Sequence, residues 1–109
     1  MAMEIERINP KELRVRFLDN PSTSAAQEWI SRFKEALNGG ENYVVVDLTA
    51  MEVLASLGVN VVVGMYQRMQ KQDGTLEVWV ANVKVRQVFK LFKLTDIFEV
   101  KVVGESEKA

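Results

Sequence analysis

Two largely apolar runs rich in β-branched residues constrain the fold of this chain more than any other feature. They are YVVVDLTA, residues 43–50, and TLEVWVANV, residues 75–83. Such runs are typical of strands buried on both faces, as in the centre of a parallel sheet. Neighbouring parallel strands need a crossover of a dozen or more residues, and the segment between the runs is long enough to provide one. The sequence therefore predicts a βαβ unit.

The segment that would form this crossover, LGVNVVVGMYQRMQKQDG at residues 57–74, gives two conflicting signals. Its valines favour a strand, because β-branched side chains suit extended backbone. The segment is nevertheless long for a strand, and Gly58, Val62, Met65 and Met69 recur at helical spacing. We predict a helix over residues 57–72, with the local preference of the valines outweighed by the strands on either side.

Further strands and helices flank this unit. MEIERIN at 3–9 and ELRVRFLD at 12–19 alternate apolar and charged residues, which predicts two half-exposed strands joined by the turn NPKE. A helix follows, with Ser24 and Gln27 predicted as its capping box and a Gly–Gly pair at its end. The last helix is predicted in KVRQVFKLFKL, with one apolar face formed by Val85, Val88, Phe89 and Phe92.

The predicted fold is α/β, a mixed sheet of about five strands with helices covering it, in the order β-β-α-β-α-β-α-β. DIFEVKVV at 96–103 supplies the last strand. We assign residues 1–103 to a single domain and residues 104–109 to a polar tail.

Composition excludes several classes of function. The 109 residues include neither cysteine nor histidine, which rules out disulfides, thiol chemistry and any Ser-His or Cys-His relay. A net charge of −1 without a basic run argues against nucleic acid as a partner. No phosphate-binding glycine motif and no carboxylate pair stands out. We expect a non-enzymatic protein without metal or cofactor.

The N-terminal residues carry charges and lack the apolar core of a signal peptide, and no uncharged apolar stretch reaches the ~18 residues of a membrane span. A cytoplasmic location without membrane insertion is therefore expected.

The stretch MEVLASLGVNVVVGMY, residues 51–66, places Ser56 where a loop gives way to the predicted helix. A serine at such a junction often acts only as an N-cap, with its hydroxyl accepting a backbone N–H of the first turn. It can also be presented for modification, since Gly58 allows a partner to approach closely. The residues alone leave both interpretations open.

From residue 44 to residue 100 the chain closely resembles the STAS domain, which is found in bacterial anti-sigma-factor antagonists and at the cytoplasmic ends of sulfate transporters. The family pattern is an apolar strand ending in Asp-Leu, a loop with Asp-Ser-Ser/Thr/Ala-Gly-Leu-Gly, a helix, Gly-Gly, a strand and a helix. The positions in register include Asp47, Ser56, Gly58 and Gly74. Ala55 stands where the family has aspartate.

This resemblance implies a regulatory binding module that acts on a partner protein, an anti-sigma factor or serine kinase. It further implies that Ser56 is the phosphorylated residue. A partner surface is then expected at the residues that follow it, Leu57, Gly58, Val59 and Asn60.

The alternative is a STAS subunit that is never phosphorylated and serves a larger assembly, such as a lipid-transport complex. Ala55 favours this alternative, because it removes the acidic neighbour of the serine. A small enzyme or nucleotide-binding protein is the third alternative, and no motif supports it.

Overall fold

The computed structural model describes residues 2–103, so Met1 and the predicted tail at 104–109 lie outside the described residues, and the predicted boundary at 103 stays a prediction. The predicted mixed sheet of about five strands and the predicted order of elements are confirmed. The elements are β1 Met3–Asn9, β2 Glu12–Phe17, α1 Thr23–Ala36, β3 Tyr43–Leu48, α2 Ser56–Gln70, β4 Thr75–Val80, α3 Val83–Leu91 and β5 Glu99–Val102. A short 3-10 turn, Leu94–Asp96, precedes β5.

The sheet has the strand order β1-β2-β3-β4-β5. Strands β1 and β2 are antiparallel, whereas β2 to β5 are all parallel. Each helix therefore returns the chain between neighbouring parallel strands, and each return steps the same way across the sheet. Because such crossovers are right-handed, all three helices lie on one face and run in the same direction.

The hydrophobic core lies between the sheet and this single helical layer. In β3 the side chains of Val44, Val46 and Leu48 point into it and are fully buried. They join apolar residues of all three helices, including Trp29, Phe33, Met65 and Phe89. Alternation along each strand thus sends every second residue to the helices.

Helix α2 forms where the valines favoured a strand, which confirms the predicted crossover helix. Val61, Val62, Met65 and Met69 are fully buried on its inner side. Burial of so much apolar surface outweighs a propensity difference of a few tenths of a kcal/mol per residue. On its α1 side, a Cβ at Gly64 would lie 2.8 Å from Ile30 Cδ1, so this glycine allows the two helices to approach closely.

Two predicted details of the helices are wrong. The N-cap of α1 is Ser22, whose hydroxyl accepts a hydrogen bond from the Ala25 N–H at 3.2 Å, so Ser24 lies inside the helix instead of capping it. Helix α3 ends at Leu91, and Phe92 leaves the helical face and is 52% exposed.

The other face of the sheet carries no helix within residues 2–103. Its side chains cover one another instead. Val45 points to this face and is still only 2% exposed. Val45 pairs with Arg14 on β2 and with Glu77 on β4. The Arg14 guanidinium carbon lies 4.9 Å from the centre of the Trp79 ring, so the arginine side chain reaches across β3 towards β4. We call this side the open face.

The loop between α1 and β3 is held by a buried carboxylate. Glu41 accepts hydrogen bonds from the backbone of Asn38 and Gly39 and from the Arg7 guanidinium at 2.6 Å. Burial alone would raise the pKa of Glu41, but these hydrogen bonds hold it at about 2. The carboxylate thereby joins this loop to the edge strand β1.

Candidate functional site

The candidate site is the loop of residues 49–55, which connects the C-terminal end of β3 to the start of α2 at Ser56. Met51 and Leu54 are each 5% exposed and anchor the loop in the core. Asp47 closes its first turn, because its carboxylate accepts hydrogen bonds from the Thr49 backbone N–H and hydroxyl at 2.9 and 2.6 Å. The loop is therefore held in place and is not a free surface segment.

Two asparagines from neighbouring loops fix the outer part of this loop. Asn20 donates to the Val53 carbonyl at 3.0 Å and accepts from the Ala55 N–H at 2.8 Å. The side-chain amide of Asn82 donates to the Glu52 carbonyl at 3.4 Å, and its oxygen accepts from the Val85 N–H and so caps α3. The approach to α2 is thus set by contacts from two distant parts of the chain, and sequence reasoning singled out neither asparagine.

Ser56 is the first residue of α2 and is exposed, as predicted for the loop-to-helix junction. The N-cap position belongs to Ala55, and no side chain of the described residues caps this helix. The interpretation of Ser56 as an N-cap is therefore wrong. Its hydroxyl makes no hydrogen bond with any residue that the structure describes. An exposed hydroxyl without a structural partner is available to a second protein.

The four predicted partner residues differ in their exposure to solvent. Asn60 is exposed and Leu57 is half-buried against the core. Gly58 and Val59 are buried, the latter with only 3% of its surface exposed, so the prediction that Val59 presents an apolar face to a partner is wrong. The reason is helical periodicity, since both residues lie on the side of α2 that carries Val62 into the core.

Apolar residues that sequence reasoning missed lie beside the serine loop. Val53 is 73% exposed in the loop, and Val83, the first residue of α3, is 66% exposed. A cavity of about 220 Å³ separates the loop from α3, lined mainly by Val53, Leu54, Val85 and Val88. The only sequence signal was an apolar residue at each of two element junctions, where periodicity does not say which way a side chain points.

A second polar cluster occupies the open face. Glu77, 7% exposed, accepts hydrogen bonds from the Tyr43 hydroxyl and from the Trp79 ring N–H, and pairs with the Lys101 ammonium at 3.2 Å. Burial would raise the pKa of Glu77, but these three contacts lower it below its usual range. Burial and the bond to Glu77 raise the pKa of Tyr43. Every polar atom of Glu77 is engaged internally, so the cluster stabilises the sheet and offers no free acid or base.

Within the described residues the chain offers neither a membrane-spanning helix nor a metal-binding cluster. No helix within residues 2–103 is long and apolar enough to cross a membrane. Over the same residues, no group of three or more acidic side chains is arranged to hold a metal ion.

Comparison with known proteins identifies the family. The model of the STAS domain matches residues 7–109, nearly the whole chain. The chain belongs to the STAS domain family. No curated protein matches it closely enough to count as a relative.

Solved structures reproduce the architecture of this STAS domain. The anti-sigma factor antagonist SpoIIAA in its unphosphorylated form superposes with a TM-score of 0.79 at 17% identity, covering 98% of this chain and 92% of that one. The phosphorylated form of the Bacillus cell fate determinant SpoIIAA gives 0.74 at 16% identity, covering 98% and 96%. A putative anti-sigma factor antagonist from Thermotoga maritima gives 0.76 at 20% identity, covering 97% and 90%. At these identities the likeness establishes the fold.

Proposed function

We propose that this STAS domain is a non-enzymatic regulatory module, antagonist-like in action, that binds an anti-sigma factor or serine kinase through the surface around Ser56. The observation that carries the proposal is the state of Ser56 itself: it is exposed and first in α2, and among residues 2–103 its hydroxyl has no hydrogen-bond partner and no side chain caps the helix. The fold it shares with SpoIIAA, a protein known in phosphorylated and unphosphorylated forms, supports the proposal.

Phosphorylation of Ser56 would act through local electrostatics. A phosphate adds about 1.5–2 negative charges and three acceptor oxygens. The free N–H groups and positive dipole end of α2 favour a negative group there, so the fold would tolerate it. A partner that buried this surface would instead have to desolvate the phosphate. The modification would therefore change binding while leaving stability almost unchanged.

The proposed partner surface combines Ser56 and Asn60 with the exposed valines Val53 and Val83. The valines give the apolar centre that protein interfaces usually contain, and the polar residues give its edge. This replaces Val59, whose burial removes it from any surface.

The first test is phosphorylation. The protein is incubated with ATP and the serine kinase or anti-sigma factor encoded nearest its gene, and the modified residue is mapped by mass spectrometry. We expect a single phosphate, on Ser56, and none on the Ser56→Ala variant. Phosphate on another residue, or none with any such kinase, contradicts the switch.

The second test is binding. Val53→Asp should weaken the complex at least about tenfold, because it places a charge in the apolar centre of the interface. Leu91→Asp is the matched control, since Leu91 is also 73% exposed and lies at the opposite end of α3. Equal effects of the two variants contradict the proposed surface.

The alternative function, an unphosphorylated subunit of a larger assembly, is favoured by one observation. Ala55 provides no acidic group beside the serine, although the family resemblance calls for one. In that case Ser56→Glu should bind the partner as tightly as the unmodified protein does. Under the regulatory proposal, the same variant binds more weakly.

A further inference from the structure

A groove between α1 and α2 lies on the outer side of the helical layer, away from the serine loop. Its volume is about 360 Å³, within the range of small-molecule sites. The Ile30 side chain packs against Gly64 at its floor, because glycine has no side chain there. The close approach of the two helices therefore shapes the groove.

The lining of the groove is basic. Lys34 comes from α1, Arg68 comes from the last turn of α2, and Lys71 directly follows that helix. None of its lining residues is acidic. Within residues 2–103 no ion pair or hydrogen bond engages the ammonium groups of the two lysines, and Arg68 contacts only the neutral amide of Gln72, at 2.9 Å. Three cations thus share one concavity with no acidic side chain among its lining residues.

Helix ends account for part of this pattern. Lys34 and Arg68 lie in the last turns of their helices, where cations offset the negative end of the dipole. That role is satisfied by a cation at any position around the helix axis. It does not explain why cations of both helices line the same cavity, or why the acidic residues of α1, Glu28 and Glu35, do not line it.

We propose that this groove binds a small phosphate ester carrying several negative charges, with a sugar phosphate as the class that fits its lining. Lysine and arginine are the side chains that hold phosphoryl groups in proteins. The amides of Gln27 and Gln67, also in the lining, both donate and accept hydrogen bonds and so suit hydroxyl groups. The inference is independent of Ser56 and of the proposed partner.

The test titrates the protein with fructose 1,6-bisphosphate, pyrophosphate and fructose, followed by calorimetry and by backbone amide NMR shifts. We expect both phosphorylated compounds to bind and fructose not to bind. The shifts should centre on residues 30–34 and 64–71. Binding should weaken as salt is added, because exposed charges are screened. No binding of either phosphorylated compound, binding of fructose at equal strength, or shifts centred elsewhere overturns the proposal.

Variants separate a specific site from general attraction to lysine. Lys71→Gln should weaken the binding of fructose 1,6-bisphosphate about tenfold, the loss of one charge-assisted contact. Lys90→Gln is the matched control, because it removes the same charge from an exposed lysine on α3, and it should change affinity less than about twofold. Equal weakening by the two variants overturns the proposal.

A third variant tests the charge of the groove without removing any of its cations. Gln67→Glu adds a carboxylate to the groove and leaves all three cations in place. It should weaken fructose 1,6-bisphosphate binding by at least about tenfold through like-charge repulsion. Unchanged affinity in this variant, with an unchanged melting temperature, would show that the ligand binds elsewhere.

Discussion

The two faces of the sheet are buried by different means. On one face, Val46 lies under the helical layer and is fully buried. On the other, its neighbour Val45 is 2% exposed although no described helix covers it, because Arg14 and Glu77 lie on either side of it and Arg14 reaches across β3 to the Trp79 ring. A low exposed fraction therefore says little about how firmly a side chain is enclosed. If a valine is replaced by a smaller residue, the packed helices cannot move in to fill the space, whereas surface side chains can.

The most direct way to break this comparison is to truncate both valines. Val46→Ala should lower the free energy of unfolding by about 3 kcal/mol, because the rigid helical layer leaves a cavity. Val45→Ala should lower it by only about 1 kcal/mol, because the Arg14 side chain beside it can move inward. Chemical denaturation of the two variants measures the difference. Equal losses would show that the open face is as rigid as the core.

The next largest loss of stability is expected from the polar cluster around Glu77 on the open face. Glu77→Gln should lower the free energy of unfolding at pH 7 by about 2 kcal/mol, through weaker hydrogen bonds from Tyr43 and Trp79. The folded pKa of Glu77 lies below its usual 4.5, so its contribution is present above pH 4.5 and is lost as pH falls through the folded value.

The gap between the wild-type protein and this variant should therefore narrow below about pH 4.5 in denaturation curves recorded at several pH values. Glu99→Gln serves as the control, since Glu99 is exposed on the strand next to Glu77 and should show almost no gap. A gap for Glu77→Gln that is constant with pH would mean that its charge does not stabilise the open face.

The smallest expected effect concerns the side chain that covers Val45. Arg14→Ala should cost about 0.5–1 kcal/mol, the usual range for a cation over an aromatic ring at a partly exposed site. It should also expose Trp79 and increase quenching of its fluorescence by acrylamide. Lys90→Ala, an exposed cation on α3 at the opposite face of the sheet, should leave quenching unchanged. Equal quenching in both variants would show that the Arg14 side chain does not shield Trp79 from solvent.

The fold could be predicted from the sequence because its determinants are periodic. The runs at β3 and β4 fixed the parallel pair, and the spacing of Gly58, Val62 and Met65 identified α2 against the preference of its valines. The same runs predicted burial on both faces of β3. The structure shows β3 buried on both faces. The helices bury one face, and side chains of the neighbouring strands bury the other.

The site was predicted only in part, for physical reasons. The position of Ser56 follows from the boundary between loop and helix. The clamping of its loop by Asn20 does not, because that contact joins residues 33 and 35 positions apart and no local pattern marks it. The same asparagine binds the backbone carbonyl of Val53, whose side chain is exposed. The misplacement of Val59 arose from treating consecutive residues as one surface, although a helix turns each residue by about 100°.

The shared direction of α1, α2 and α3 has a consequence for the approach of a partner. Their peptide dipoles add, so the end of the molecule that carries Ser56 is the positive pole. A molecule with such polarity is turned by the field of a charged partner before contact, which changes how often collisions are productive. The chain has a net charge of only −1, so a phosphate at this pole would oppose the polarity with about 1.5–2 negative charges. The two states of the serine would then differ in the rate at which a partner arrives, and added salt would erase that difference.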